Sequence, residues 1–266
     1  MNNTPEYFGI KDYKTNSDGS INVYQNVDMS CMDLVEIPIK FNIVEGSFNI
    51  RQNHLNSLKN SPKEVFGDFD CSHNIIKSLK DGPIYVLDSY RAHNNSLTEI
   101  NSKFECGFNL MLDFNRLEKL DSIQEYIEGS LSLSHNKLKT LKGSPKEIET
   151  SFYVSKNNLY SLQGCPQTIG CNFEFSHNKV IDLYHFPEKI GGSINMDYND
   201  LYELPSGYSI LNMSWKYNNI TEEILDPLYE IELKKDPYLL KSIKDKVSEK
   251  LVEKYKWVID ANKLGL

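Results

Sequence analysis

An asparagine recurs every 20 or 21 residues through most of this chain. Eight eleven-residue segments align on it, from FNIRQNHLNSL to INMDYNDLYEL, and their spacings are 21, 21, 20, 21, 21, 21 and 21. Weaker copies flank them, with Met32 at the Asn position of VDMSCMDLVEI. The aligned asparagines are Asn53, Asn74, Asn95, Asn115, Asn136, Asn157, Asn178, Asn199 and, in the last weak copy, Asn218. This period predicts a solenoid of about ten stacked rungs.

Each unit has a fixed pattern of apolar residues around its asparagine. Leu131 and Leu133 precede Asn136 at two-residue spacing, which predicts one face of a short strand. Leu138 and Leu141 follow it, so the chain must turn at Asn136 and return to the same interior. A turn enclosed between rungs leaves backbone groups without water, and an Asn amide both donates and accepts hydrogen bonds. We therefore expect the asparagines to form a ladder along the protein.

This unit resembles the LxxLxLxxNxL motif of the leucine-rich-repeat family, with Phe, Ile, Met or Val often replacing Leu. The resemblance covers about residues 20–224. The phrases SPKEV, SPKEI and FPEKIGG are similar to short bacterial repeats and, more closely, to repeat proteins of tailed bacteriophages. The leucine-rich-repeat resemblance implies an α/β-horseshoe solenoid of short parallel strands. The rest of each unit is rich in Pro and Gly, so we expect an extended or polyproline-like convex side.

The two ends of such a solenoid need caps. Residues 1–24 read as a hairpin cap with a turn at 17–20, residues 25–224 as the solenoid, and residues 225–266 as a helical cap. Asp226-Pro227 and Asp236-Pro237 each resemble an N-cap followed by a first helical proline. The apolar face of a helix over 237–261 would comprise Ile243, Val247, Leu251, Tyr255 and Val258.

Composition disfavours several classes of function. A net charge of −8 argues against nucleic acid as the partner. No stretch is apolar enough to predict a membrane span, and the N-terminal residues lack a secretory pattern, so we expect a cytoplasmic protein. The five cysteines form no CxxC pair, which supports neither a zinc site nor a disulfide framework. No cofactor is predicted.

Two groups of residues could suggest chemistry. Ser72, His93 and Asp113 lie on consecutive rungs and have the residue types of a nucleophilic triad, but a polar ladder on an open sheet explains them equally. His73, His135 and His177 are separated by three and two rungs, roughly 10 Å or more on the strand spacing, which is too far for one metal ion. We predict no catalytic residue and no metal ligand.

The sequence instead predicts a contact surface on the concave face, where strand residues point away from the core. Aromatic and soft apolar side chains with a polar surround are typical of protein interfaces. Asp70 and Arg91 on neighbouring rungs could pair laterally. The predicted partner-binding residues are Arg91, Met111, Asp113, Phe114, His135, Tyr153, Glu174, His177, Tyr198 and Tyr217.

Three functions can be compared at this stage. The first is a noncatalytic module that binds a protein partner, as the resemblance implies, encoded by a phage and acting on a host or viral protein. The second is a structural component, such as a virion accessory or an adhesin-like protein. The third, a cysteine-dependent transferase in the tail, is disfavoured because residues 221–266 contain neither Cys nor His.

Overall fold

One parallel sheet runs along the whole front of the molecule. The computed structural model describes residues 4–100, 103–120, 123–237, 240 and 248–254. Each unit contributes one two-residue strand to a ten-stranded sheet, in chain order. Its strands are Val27–Asp28, Phe48–Asn49, Phe69–Asp70, Tyr90–Arg91, Leu110–Met111, Leu131–Ser132, Phe152–Tyr153, Phe173–Glu174, Ile194–Asn195 and Met213–Ser214. We call the outward surface of this sheet the front face.

The opposite side carries two shorter sheets, which we call the back sheets. The six-stranded sheet comprises Tyr13–Thr15, Ile21–Val23, Phe41–Val44, Glu64–Val65, Tyr85–Val86 and Glu105–Cys106. The four-stranded sheet comprises Tyr126–Ile127, Glu147–Ile148, Thr168–Ile169 and Lys189–Ile190. The predicted extended conformation is therefore confirmed, but these segments are paired strands rather than polyproline helices. Stacking brings neighbouring rungs within hydrogen-bonding distance, so Glu149 N–H donates to the Ile127 carbonyl at 2.9 Å.

The core lies between the front and back sheets. In the unit around Asn136, the side chains of Leu131, Leu133, Leu138 and Leu141 are all fully buried. Equivalent residues stack from rung to rung; the Phe152 and Phe173 rings are parallel, with centroids 5.5 Å apart. Burying a side chain of this size stabilises a fold by about 1.5–3 kcal/mol. Because each rung contributes only half of every such contact, the rungs are stable only as a stack.

The repeated asparagines connect neighbouring rungs through their side chains. Asn136 Nδ2 donates to the carbonyls of Leu133 in its own rung and Leu112 in the preceding one, both at 3.0 Å. Its Oδ1 accepts from the Leu117 N–H at 2.9 Å. Seven of the nine aligned asparagines are buried, the exceptions being the half-buried Asn95 and Asn218. The amide satisfies both kinds of backbone group at an enclosed turn.

A hairpin begins the solenoid, after a 3-10 helix at Pro5–Phe8. Tyr13–Thr15 pairs antiparallel with Ile21–Val23, which itself pairs in parallel with the next strand of the back sheet, Phe41–Val44. Gly19 has φ +79° in the turn. The Asp18 carboxylate accepts from the backbone N–H and hydroxyl of Ser20 at 3.1 and 2.6 Å. The hairpin is thus continuous with the back sheet.

The other end is covered by helices. A 3-10 helix at Ile210–Asn212 leads into the last front strand, and α1 (Glu222–Lys235) and α2 (Glu249–Lys254) follow. Tyr229 and Leu233 of α1 pack with Ile210, and the Tyr229 ring lies 6.1 Å from that of Trp215. No helix among the described residues is long and apolar enough to cross a membrane.

Two of the predicted helix boundaries at this end were wrong, the start at Pro227 and the continuous helix through Ser248. α1 begins after Thr221 and continues through Pro227, which the sequence placed at a helix start. Asp236 is the C-cap of α1, and Pro237 directly after it is again helical, as predicted from Asp236-Pro237. Ser248, inside the helix predicted over 237–261, is not helical, and its hydroxyl accepts from the Leu251 N–H at the start of α2. Of the predicted apolar face, Leu251 is buried, whereas Ile243, Val247, Tyr255 and Val258 lie outside the described residues.

Candidate partner-binding face

The residue before each of the nine aligned asparagines has left-handed backbone geometry, and so does Cys31 before Met32. All ten have φ between +52° and +58°. This conformation turns the chain so that the next side chain folds back over its own strand, as Asn136 does toward the Leu133 carbonyl. We call these residues the left-handed column. They are Cys31, Gln52, His73, Asn94, Phe114, His135, Lys156, His177, Tyr198 and Tyr217.

Aromatic rings of this column stack on one another in the second half of the chain. Phe114 and His135 have centroids 4.0 Å apart and planes 16° apart. His177, Tyr198 and Tyr217 form a continuous stack, with both centroid distances 4.2 Å. Phe114, His177, Tyr198 and Tyr217 are exposed, and Tyr217, at the end of the stack, exposes 70% of its surface. Five predicted contact residues therefore form two ring stacks.

The other predicted contact residues lie within the front sheet. Arg91 and Met111 are register partners on adjacent strands, and so are Tyr153 and Glu174. All four are half-buried, as is Asp113. The suggested lateral pair of Asp70 with Arg91 is not formed, because the Arg91 guanidinium contacts Asp68 at 3.0 Å. Asp70 instead accepts from the Ser72 hydroxyl at 2.6 Å.

Two charged residues join this surface although the sequence did not single them out. Lys156 separates the two ring stacks, because it occupies the left-handed column between His135 and His177. Asp197 accepts from the Ser214 hydroxyl at 2.6 Å and from the Lys216 N–H at 2.7 Å. In the sequence, only their positions within the repeat indicate that Lys156 and Asp197 lie on this surface.

The residues of the suggested triad are not arranged for nucleophilic catalysis. The Ser72 hydroxyl donates to Asp70, not to His93. His93 Nδ1 is buried without a hydrogen-bond partner, and its ring lies edge-on to His73 at 5.4 Å. Among the residues that the structure describes, no three His, Cys, Asp or Glu side chains form a group that could hold a metal ion.

Burial lowers the pKa of two histidines of the front face. It lowers the pKa of His93, and nearby His73 and Arg91 lower this pKa further. The carboxylates of Asp113 and Asp70 act in the opposite direction and raise it. Burial also lowers the pKa of His135, and the Lys156 ammonium acts in the same direction. Near neutral pH both rings are therefore uncharged, and His135 stacks on Phe114 as a neutral imidazole.

We expect acid to destabilise the chain in part through His93. Its folded-state pKa lies below the ordinary value of 6.5, so the folded state binds fewer protons than the unfolded state. This contribution to stability is present above the unfolded pKa and is lost as pH falls through the folded pKa. Urea titrations at a series of pH values below neutrality should show a shallower fall in the free energy of unfolding for His93→Gln than for wild type. Equal slopes would contradict this assignment.

The fold and the repeated columns together define a leucine-rich-repeat solenoid. Among solved structures, the chain is similar to YopM from Yersinia enterocolitica WA-314, with 15% sequence identity and a TM-score of 0.40 over 73% of this chain and 69% of that chain. No protein-family model matches the sequence, and no curated protein matches it.

Proposed function

We propose that this chain is a noncatalytic protein-binding module whose contact surface is the front face and the left-handed column of its second half. The observation that carries the proposal is the exposed stack of His177, Tyr198 and Tyr217. Aromatic side chains with polar neighbours are what protein interfaces use as anchors. Lys156, Glu174 and Asp197 supply polar groups around them.

The backbone under the stack strengthens this argument. Bulky residues in left-handed geometry cost roughly 1–2 kcal/mol, whereas Asn and Gly adopt it readily. Asn94 shows that the column accepts Asn. Ring stacking offsets only about 0.5–1.5 kcal/mol. Aromatic residues at these positions are therefore not the choice that stability alone would favour, which supports a role in binding.

A more specific assignment follows from the repeated phrases of the back segments. SPKEV at 61–65 and SPKEI at 144–148 resemble repeat proteins of tailed bacteriophages. They support a phage-encoded factor that acts in the host cytoplasm on a host or viral protein. The second candidate remains a virion accessory or adhesin-like component, and the two differ in what should copurify with the chain.

The proposal predicts that replacing the stacked tyrosines removes binding without loss of stability. In Tyr198→Asn/Tyr217→Asn, the free energy of unfolding should stay equal or rise by about 1 kcal/mol, because Asn suits left-handed geometry. Affinity capture from host cytoplasm should yield one stoichiometric protein with wild type, reduced about tenfold or more with the variant.

The matched control is Tyr184→Ser, which changes a tyrosine that is 85% exposed but lies outside the column. It should capture the same protein as wild type. Equal capture by all three chains would contradict the proposed face. Recovery of the chain only with virus particles would favour the structural alternative.

A further inference from the structure

The strands on the back of the molecule form two separate sheets instead of one continuous sheet. The two back sheets are not joined, because no ladder connects Glu105–Cys106 to Tyr126–Ile127. The Gln124 side chain occupies this junction instead. Its Oε1 accepts from the Cys106 N–H and its Nε2 donates to the Cys106 carbonyl, both at 2.7 Å, and Nε2 also donates to the Tyr126 carbonyl at 2.8 Å. A side-chain amide therefore replaces one unit of strand pairing.

A groove of about 510 Å³ lies at this break. Its apolar lining comes from Ile84, Tyr85, Phe104 and Ile123, and its polar lining from Gln124 and three charged residues. Those charged residues are Lys103, Glu105 and Glu125. The break in the sheet and the groove thus coincide.

Exposed apolar side chains lie near the groove on consecutive rungs. Phe66 and Leu87 follow equivalent back strands and expose 43% and 44% of their surface. The Phe66 ring lies 5.9 Å from Tyr85, which lines the groove. Ile84, Phe108 and Tyr126 are similarly exposed. Exposed apolar residues gathered in one place usually mark a site of interaction.

This apolar character is not required by the repeat. Farther along the four-stranded sheet, the position of Phe66 and Leu87 is occupied by Glu128, Glu149 and Gly170. These three residues follow strands of the same register, so the fold accepts charged residues or glycine there. The rungs that flank the break carry Gly107 and Glu128 at this position. Leu87 and Phe66 lie on the next two rungs of the six-stranded sheet, beside Tyr85 of the groove.

Carboxylates outnumber ammonium groups around the groove. The lysines are Lys63, Lys103 and Lys146, and the carboxylates are Glu64, Glu105, Glu125, Glu128, Glu147 and Glu149. Glu64, Glu105 and Glu128 form no ion pair with another described residue, whereas Glu125 pairs with Lys146 at 2.9 Å. Burial and the carboxylates of Glu149, Glu128 and Glu147 raise the pKa of Tyr126. An acidic, apolar surface repels phosphate groups, which disfavours nucleic acid and anionic lipid as occupants. It complements apolar side chains flanked by Lys or Arg.

We propose that this back groove is a second binding site, independent of the front face, for an extended protein segment that presents apolar side chains between lysines or arginines. The apolar side chains would occupy the groove beside Ile84 and Phe104 and cover Phe66 and Leu87. The basic side chains would pair with Glu64, Glu105 and Glu128.

Selection of random peptides of about twelve residues tests this proposal. The full chain serves as target and Phe66→Ser/Leu87→Ser as counter-target, which removes peptides that bind elsewhere. We expect enriched peptides to combine aromatic or branched apolar residues with Lys or Arg. No enrichment against the counter-target, or enrichment of acidic peptides, would overturn the proposal.

Fluorescence anisotropy with an enriched peptide then locates its site. The Kd should rise about tenfold or more for Phe66→Ser/Leu87→Ser and for Glu105→Gln/Glu128→Gln, and should increase with salt for wild type. The front-face variant Tyr198→Asn/Tyr217→Asn should bind as wild type does. Ile84→Lys, a single change at an exposed position, is an alternative if the double serine variant does not fold. Loss of binding in the front-face variant, or unchanged binding in all back variants, would refute the site.

Discussion

Asn136→Ala should lower the free energy of unfolding by about 3–5 kcal/mol. The substitution leaves the buried Leu117 N–H without its partner and removes one of the two Asn donors at the buried carbonyls of Leu112 and Leu133. These carbonyls keep their bonds from Asn115 and Asn157, respectively. The unsatisfied N–H costs about 1–3 kcal/mol, and each of the two other lost hydrogen bonds costs about 0.5–1.5 kcal/mol. Because this loss falls at a junction between rungs, the stack should be weakened in its middle. Urea denaturation followed by circular dichroism measures the change.

Two further variants make this test specific. Lys137→Ala changes the exposed neighbouring side chain and should shift the free energy of unfolding by less than about 0.5 kcal/mol. Asn218→Ala removes a half-buried amide at the end of the ladder. It should cost less than Asn136→Ala, because water can enter the space of a side chain that is itself partly exposed. Equal effects at Asn136 and Lys137 would show that the ladder does not stabilise the stack.

Leu233→Asp should detach α1 from the end of the solenoid. Leu233 is completely buried beside Ile210 and Tyr229, so an unpaired carboxylate there has neither water nor a counter-charge. We expect a loss of about 3–5 kcal/mol and self-association through the uncovered apolar end. Urea denaturation measures the first effect, and static light scattering of the native protein measures the second.

Ile231→Asp is the matched control, because the same helix carries this isoleucine with 51% of its surface exposed. It introduces the same charge in the same element without burying it. A chain with the association state of wild type and nearly its stability is expected. If Leu233→Asp behaved in the same way, packing of α1 would not be what covers this end.

The sequence predicts the solenoid because its constraints are local and repeated. Leu131, Leu133 and Leu138 must reach one interior, and only a short strand followed by a turn allows this. An enclosed turn needs a side chain that both donates and accepts, which is why the period is visible at Asn136. The hairpin was predictable for a similar reason, since Asp18-Gly19 gives a strong turn signal between alternating segments.

Features set by neighbouring rungs were not predictable in the same way. The left-handed geometry of Tyr198 and His135 has no sequence signal, because Gly and Asn usually mark it and only Asn94 does so here. α1 passes through Pro227 because packing of Tyr229 and Leu233 outweighs the local preference for a helix start. The stacks, and the junction made by Gln124, depend on which residues meet in space. The choice of contact residues stays a prediction.

The bonds between rungs also bear on how such a chain can change in length. Every junction reuses the same amide bridge, as Asn136 and Asn157 show, so duplicating or deleting one whole unit recreates a junction that already exists. Unequal recombination within the gene can therefore lengthen or shorten the molecule without a new folding problem. The length of the solenoid is therefore set by the number of repeats in the gene. Selection can change that number to fit binding targets of different size.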